Sequence, residues 1–329
     1  MSKARNRFIQ LIPSLLLTLL TGLLLAACGD STATSFPVVT TASATSVAAT
    51  AAATTATATS AASSPTIAAS PAASSTAAPL TTSAATGPVK GDLIVFAASS
   101  LTDSFKEIKV EWEKANPDSR LTFNFGGSPT LRTQIEQGAK ADVFASADTV
   151  QMEQALQSGV VTDKGTIFVT NRLVVILPKN NPAKIAKLSD LAKPGVKFVT
   201  TQKDVPVGNY TGQILEKLNQ NSAYGPDFAA KVNANTVSRE TNVKQVVSKV
   251  QLGEADAGIV YTSDITPNVK ADLVSLDIPD PYNVVASYPA SVVKDTQAPE
   301  AAQRFIAFLR SAKAQAIFQK YNFGAAVAS

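Results

Sequence analysis

Leu93-Ile-Val-Phe-Ala-Ala-Ser-Ser100-Leu-Thr-Asp-Ser-Phe105 runs from a short apolar strand pattern through two serines and straight into a helical pattern. Leu121-Thr-Phe-Asn-Phe-Gly-Gly-Ser128-Pro-Thr-Leu-Arg-Thr-Gln-Ile135 makes the same passage about thirty residues later. Strand, helix and strand in this order form a βαβ unit, which points to α/β layers with parallel strands. Each junction also sets a hydroxyl and several unpaired backbone N–H groups at the positive end of a helix dipole, where an anion is stabilised. A single serine in this position is usually only a cap. Two such junctions suggest one anion held from two sides.

The alternation continues along the chain. Strand patterns fall at Leu93–Ala97, Leu121–Phe125 and Val143–Ala145, with helices near Leu101–Asn116 and Thr130–Gln137 between them. Pro117 stops the first helix and Gly138 follows the second. Ala141-Asp-Val-Phe-Ala-Ser-Ala-Asp148 leads into a helix around Val150–Ser158, and Asn171–Pro178 is a near-continuous apolar strand. A second series follows: Lys197–Thr200 as strand, Tyr210–Leu218 as helix, Val232–Val237 as strand, Val243–Leu252 as helix and Ala257–Tyr261 as strand. Val284–Val293 reads as a return strand, and one amphipathic helix, Ala301–Tyr321, closes the chain. Two α/β series joined by two long strands imply two lobes, residues 91–170 with 284–329 and residues 171–283, around a ligand cleft. In open α/β sheets ligands sit beyond the carboxyl ends of strands, and both opening serines lie there.

The amino terminus is of another kind. Lys3, Arg5 and Arg7 precede an apolar stretch, Leu15–Leu25, too short and too broken by Thr18, Thr21 and Gly22 to span a bilayer. Residues 1–27 therefore read as an export signal. Leu25-Ala-Ala-Cys28 reads as a lipobox with Cys28 as the lipidated residue, which places the mature chain outside the cytoplasm, anchored to the cell membrane. Cys28 is the only cysteine, so no intramolecular disulfide is possible. Residues 28–90 are dominated by Ala, Thr, Ser and Pro, and no charged residue lies between Ser31 and Val89. Such a segment cannot bury enough apolar surface to order itself and reads as a disordered tether with a reach of roughly 40–50 Å. Its Ser/Thr/Pro content also permits O-glycosylation.

Composition excludes several functions. The formal charge of +4 drops by the three basic residues of the leader to +1, so no nucleic-acid partner is implied. The 329 residues contain no histidine, which removes Ser-His-Asp chemistry and most zinc sites. No Walker motif or Gly-x-Ser-x-Gly elbow occurs. The one Ser-x-x-Lys, Ser291–Lys294, lies on a strand pattern, where positions three apart face opposite sides. Asp142, Asp148 and Asp264 fit capping and strand-end roles better than a carboxylate metal site. No enzyme and no cofactor is expected.

Further segments fit the anion logic. Asp204-Val-Pro-Val-Gly-Asn-Tyr210 opens a helix and offers the N–H groups of Val207 and Gly208. Glu240-Thr-Asn-Val243 opens another, with Thr241 or Asn242 as N-cap. Tyr261 ends a strand with a phenol able to donate one hydrogen bond.

On these pieces the chain resembles the molybdate-binding proteins that serve ABC importers. Phe96-Ala-Ala-Ser-Ser-Leu-Thr102, Gly126-Gly-Ser-Pro-Thr-Leu131 with Gln134–Gly138, and Ala141–Asp148 carry the likeness first. Asn171-Arg-Leu-Val-Val175, Val205-Pro-Val-Gly208, Gly258-Ile-Val-Tyr-Thr-Ser-Asp264 and Tyr288-Pro-Ala290 follow in family order over most of 91–329. The resemblance implies an α/β periplasmic-binding-protein fold of class II and a monomer that meets an ABC permease dimer and its ATPase subunits. It also implies an oxyanion held by neutral donors: Ser100 and Ser128 through hydroxyl and N–H, Val207 and Val243 through N–H, and Tyr261 through its hydroxyl. Two departures stand out. Val207 replaces the small residue usual in relatives, and Pro129 after Ser128 can donate nothing. Roughly five to seven hydrogen bonds to a charged group give roughly 8–20 kcal/mol gross, against association costs of at least ~4 kcal/mol. Tight binding then needs no lysine or arginine. Such a set accepts molybdate and tungstate alike and disfavours protonated anions. Sulfate or another tetrahedral oxyanion is the alternative ligand, and a surface adhesion module the alternative of another class.

Overall fold

Leu93, Val95 and Ala97 on one face and Phe96 and Ala98 on the other are all buried, so β1 (Leu93–Ala98) is covered on both sides and must be an interior strand. The computed structural model describes residues 87–326. The export signal at 1–27, Cys28 and the tether up to residue 86 lie outside the described residues.

From β1 the chain passes through a 3-10 turn, Ser99–Leu101, into α1 (Thr102–Ala115), then β2 (Leu121–Gly126), α2 (Ser128–Glu136), β3 (Val143–Ala145) and α3 (Thr149–Gln157). β1 lies between β2 and β3 and is parallel to both. Phe105, Ile108 and Trp112 bury one stripe of α1 and pack with α8 (Pro299–Leu309) and α9 (Ala312–Lys320) on one face of the sheet. There the Phe105 ring lies 6.1 to 6.2 Å from Phe168, Phe305 and Phe318. Phe96, Leu131, Ile135, Phe144 and Met152 form the core of the other face, under α2 and α3.

β4 (Thr166–Pro178) is thirteen residues long and belongs to both halves of the sheet. Thr166–Arg172 pairs antiparallel with β9 (Val285–Val292), which in turn pairs with β3. From Leu173 onward β4 pairs with β7 (Ala257–Tyr261), and Val174–Pro178 with β8 (Leu273–Asp277). The second half repeats the parallel logic. β5 (Phe198–Thr201), α4 (Pro206–Asn219), α5 (Phe228–Ala234), β6 (Thr236–Glu240) and α6 (Val243–Gln251) precede β7, and β5 runs parallel to both β6 and β7. The short α7 (Pro267–Lys270) leads to β8, and β10 (Gly324–Ala325) adds to β4. Where the chain leaves and re-enters the first half, Asn283 ties the two crossings together. Its Oδ1 accepts from Leu173 N at 3.2 Å and its Nδ2 donates to Leu173 O at 2.9 Å.

Three details differ from the sequence reading. Val232 is not in a strand: it is the buried anchor of α5 with Phe228, four residues earlier on the same helix face, and the strand begins at Thr236. The closing helix is two helices, because Ser311 caps a new one by accepting from Ala314 N. The ordered body also begins before residue 91, since Val89 is buried and its N–H donates to Asn116 Oδ1 at 2.8 Å. The strands are parallel in each βαβ half, but β4, β8 and β9 make the sheet mixed.

Candidate functional site

Four helical N-termini converge on one small cavity. It is lined by Ala98, Ser99 and Ser100 at the turn before α1, and by Gly126, Gly127 and Ser128 at the start of α2. Val205, Pro206 and Val207 line it from the start of α4, with Val243 at the start of α6; Ala147 and Tyr261 complete it. The five residues singled out from sequence, Ser100, Ser128, Val207, Val243 and Tyr261, thus line one cavity, two from the first half of the sheet and three from the second. All are almost wholly buried. The N–H groups of a first helical turn have no partner within the helix, and residues of four such turns line this common space. Pro129 and Pro206 fall in the first turns of α2 and α4, where a missing N–H costs the helix nothing. Of the two candidate caps for α6, Asn242 is the one used: its side chain accepts from Gln245 N at 3.2 Å.

The cavity is tight. Its empty space is about 200 Å³, the solvent-facing mouth included. That suits a compact polyatomic ion and excludes a drug-sized organic molecule. No charged side chain is among the lining residues.

The two serine hydroxyls are set up as donors. Ser128 Oγ accepts from Ala147 N at 3.1 Å, so its own proton is left to offer. Ser100 Oγ lies 3.0 Å from Tyr288 OH, which itself receives Asn171 Nδ2 at 3.3 Å. With that acceptor position filled, the phenol is placed to donate to Ser100, and Ser100 is free to donate onward. Asn171 is held in turn by Ser263 Oγ at 2.8 Å and Thr262 Oγ1 at 2.9 Å. The Tyr261 hydroxyl is buried and has no hydrogen-bond partner among the described residues. Burial pushes this phenol well above its ordinary pKa of 10, so it remains protonated and able to donate.

Charges stand just behind the wall. Asp148 caps α3 by accepting from Gln151 N at 2.9 Å, while its other oxygen is buried without a partner. Burial raises this carboxyl to about 6. Asp264 is fully buried, accepts from Tyr261 N at 3.2 Å and faces Lys244 at 3.2 Å. Burial raises its pKa, opposed by Lys244. Asp142 lies away from the cavity, at the opposite end of β1, where it is engaged by Ile94 N at 2.7 Å and by Thr296 Oγ1 at 2.5 Å. Among the described residues no three acidic side chains gather as a cation site.

The halves meet around the cavity. Tyr210 OH donates to Ala147 O at 3.4 Å, and Gln151 Nε2 to Asp204 O at 3.0 Å. A Cβ on Gly127 would stand 2.2 Å from Thr241 O, so only glycine allows the two backbones this close. Sequence reasoning did not single out Ala147, Asn171, Tyr288 or Lys244 as parts of the site. The Ser100–Tyr288 contact spans 188 positions, and no local pattern signals it.

Residues 93–324 match the family model for bacterial extracellular solute-binding proteins. The chain belongs to that family. This solute-binding protein is 37% identical over 243 residues to the molybdate-binding protein ModA of Mycobacterium tuberculosis (strain ATCC 25618 / H37Rv), covering 73% of this chain and 88% of that one. It is 32% identical over 250 residues to the "Putative ABC transporter substrate-binding lipoprotein YvgL" of Bacillus subtilis (strain 168), covering 74% and 90%. Its fold matches the periplasmic molybdate-binding protein of Azotobacter vinelandii with a TM-score of 0.60, at 21% identity, over 72% of this chain and all of that one. The relatives are binding proteins rather than enzymes, and the family works outside the cytoplasm.

Proposed function

We propose that this solute-binding protein captures molybdate, and tungstate with it, in the cavity between its sheet halves and hands it to an ABC importer. Ser100 and Ser128 would donate through hydroxyl and N–H, Val207 and Val243 through N–H, and Tyr261 through its phenol. One observation carries the reading: a buried phenol with no partner lines a cavity ringed by helix N-termini and two serines whose oxygens are already supplied with donors. Such a site stabilises a full negative charge without a counter-ion. It offers a protonated oxygen little to bind, which disfavours hydrogen phosphate. The name of the mycobacterial relative supports molybdate as the ligand. The lipobox at Cys28 and the name of the Bacillus relative support a lipid anchor from which the body, on its tether, reaches the permease dimer.

The tightness of the cavity favours a second reading, in which the smaller sulfate is the ligand. Isothermal titration of the protein with molybdate, tungstate, sulfate and phosphate separates the two. The expected order is molybdate and tungstate submicromolar, sulfate weaker and phosphate weakest. Sulfate binding tighter than molybdate would overturn the proposal, and no oxyanion binding at all would leave the adhesion role.

A further inference from the structure

Lys244 follows Val243 directly, and its ammonium sits between two carboxylates, 2.9 Å from Asp103 Oδ2 and 3.2 Å from Asp264 Oδ1. Each of the three charged groups hangs on a segment that also supplies a wall of the cavity. Asp103 lies in the first turn of α1, three residues beyond Ser100. Asp264 closes the turn that begins at Tyr261. The two carboxylates come from opposite sides of the cleft: Asp103 from the first half of the sheet, Asp264 with Lys244 from the second.

The two contacts differ in kind: Lys244 donates a hydrogen bond to Asp103, while its approach to Asp264 Oδ1 is an ion pair without hydrogen-bond geometry. Asp264 has no exposed surface, and a buried carboxylate left alone is costly, so it keeps Lys244 beside it whether or not the halves are together. Asp103 is more than a third exposed and reaches the same ammonium only when α1 stands against α6. Its contact therefore exists in the closed arrangement alone, and any free energy it contributes favours closure over an occupied cavity. Asp103 does not line the cavity and its negative charge repels an anion there. Repulsion and latching thus act in opposite directions on binding. The short contact to a largely buried ammonium outweighs the longer-range repulsion, which solvent screens.

We infer that Asp103 is a positioning residue of the anion site: through Lys244 it latches the two halves over the bound anion and slows its release. This inference rests on the anion reading above. Contacts of this kind, when one partner is removed, act chiefly on the dissociation rate.

The test is a stopped-flow measurement of molybdate association and release in four proteins: wild type, Asp103→Asn, the neutral pair Lys244→Gln with Asp264→Asn, and the three changes together. Asp103→Asn should speed release about tenfold and leave association unchanged or slightly faster. In the neutral-pair background the same change should have no effect on release. Unchanged release in Asp103→Asn overturns the latch. So does an equal acceleration in both backgrounds, which would trace to the lost acidic residue at the α1 N-terminus. A wild-type protein that binds no molybdate overturns the anion reading itself, a different result from binding that ignores Asp103.

Discussion

Replacing Tyr261 by Phe removes one oxygen from the candidate site and should weaken ligand binding without weakening the free fold. With the halves together and no anion between them, the Tyr261 hydroxyl is buried with no hydrogen-bond partner among the described residues, and an unsatisfied buried polar group costs about 1–3 kcal/mol; with the halves apart, water reaches it. The ring itself is packed, 5.7 Å from Tyr288 in an edge-on contact, and Phe preserves that packing. Tyr261→Phe should therefore not lower the thermal midpoint of the unliganded protein: the midpoint is unchanged with the halves apart and rises by roughly 2–8 °C, about 1–2 kcal/mol, with the empty halves together. The same change deletes a hydrogen bond to a charged ligand, worth about 1.5–3 kcal/mol, so molybdate affinity should fall about 10- to 150-fold. Differential scanning calorimetry without ligand and isothermal titration with molybdate read the two effects. A lower midpoint would mean that the hydroxyl already has a partner in the free protein. Unchanged affinity would mean that it does not touch the anion. Either result would refute the reasoning.

Two further perturbations probe the closed arrangement and the charge behind the wall. Gly127→Ala puts a Cβ 2.2 Å from Thr241 O across the cleft, while its φ of −68° suits alanine. Affinity should fall by about 1–3 kcal/mol or more, and the midpoint of the free protein should hold or rise. A free protein as destabilised as the complex would show the contact to be permanent rather than a product of closure. Asp148 is raised to about 6 by burial, whereas in an unfolded chain it titrates near 3.9. Its favourable contribution is whole below the unfolded value and is lost as pH rises through about 6, at most about 3 kcal/mol. Asp148→Asn keeps a side chain that can cap α3. It should be more stable than wild type at pH 7.5 by thermal melting, with the gap closing near pH 4. A gap that persists at pH 4 would detach it from this titration.

Much of the fold was legible because each element advertises itself locally. Apolar runs bounded by serines, glycines and prolines mark the strands, and 3.6-residue periodicity marks α1, α4 and α6. The errors fall where local signals conflict. Val232 is β-branched and close to a true strand, yet it pairs with Phe228 on one short helix face. The helical pattern runs on through Arg310, yet Ser311 restarts the helix. Strand direction was half visible: alternation with helices implies parallel neighbours, but the antiparallel pairing of β4 with β7, β8 and β9 is a matter of long-range partners.

The two strand–serine–helix junctions, the absence of histidine and the single cysteine are properties of the chain itself. They mark two helix N-termini that carry a hydroxyl each, and they determine that no histidine-based chemistry is available. Tertiary structure decided the rest. It alone fills Ser128 with the Ala147 N–H, places Tyr288 and Asn171 behind Ser100, leaves the Tyr261 hydroxyl unpartnered and brings Asp103 to Lys244. Each of those facts depends on atoms from segments far apart in sequence. A hydroxyl's partners, unlike its identity, are set only when distant segments pack together.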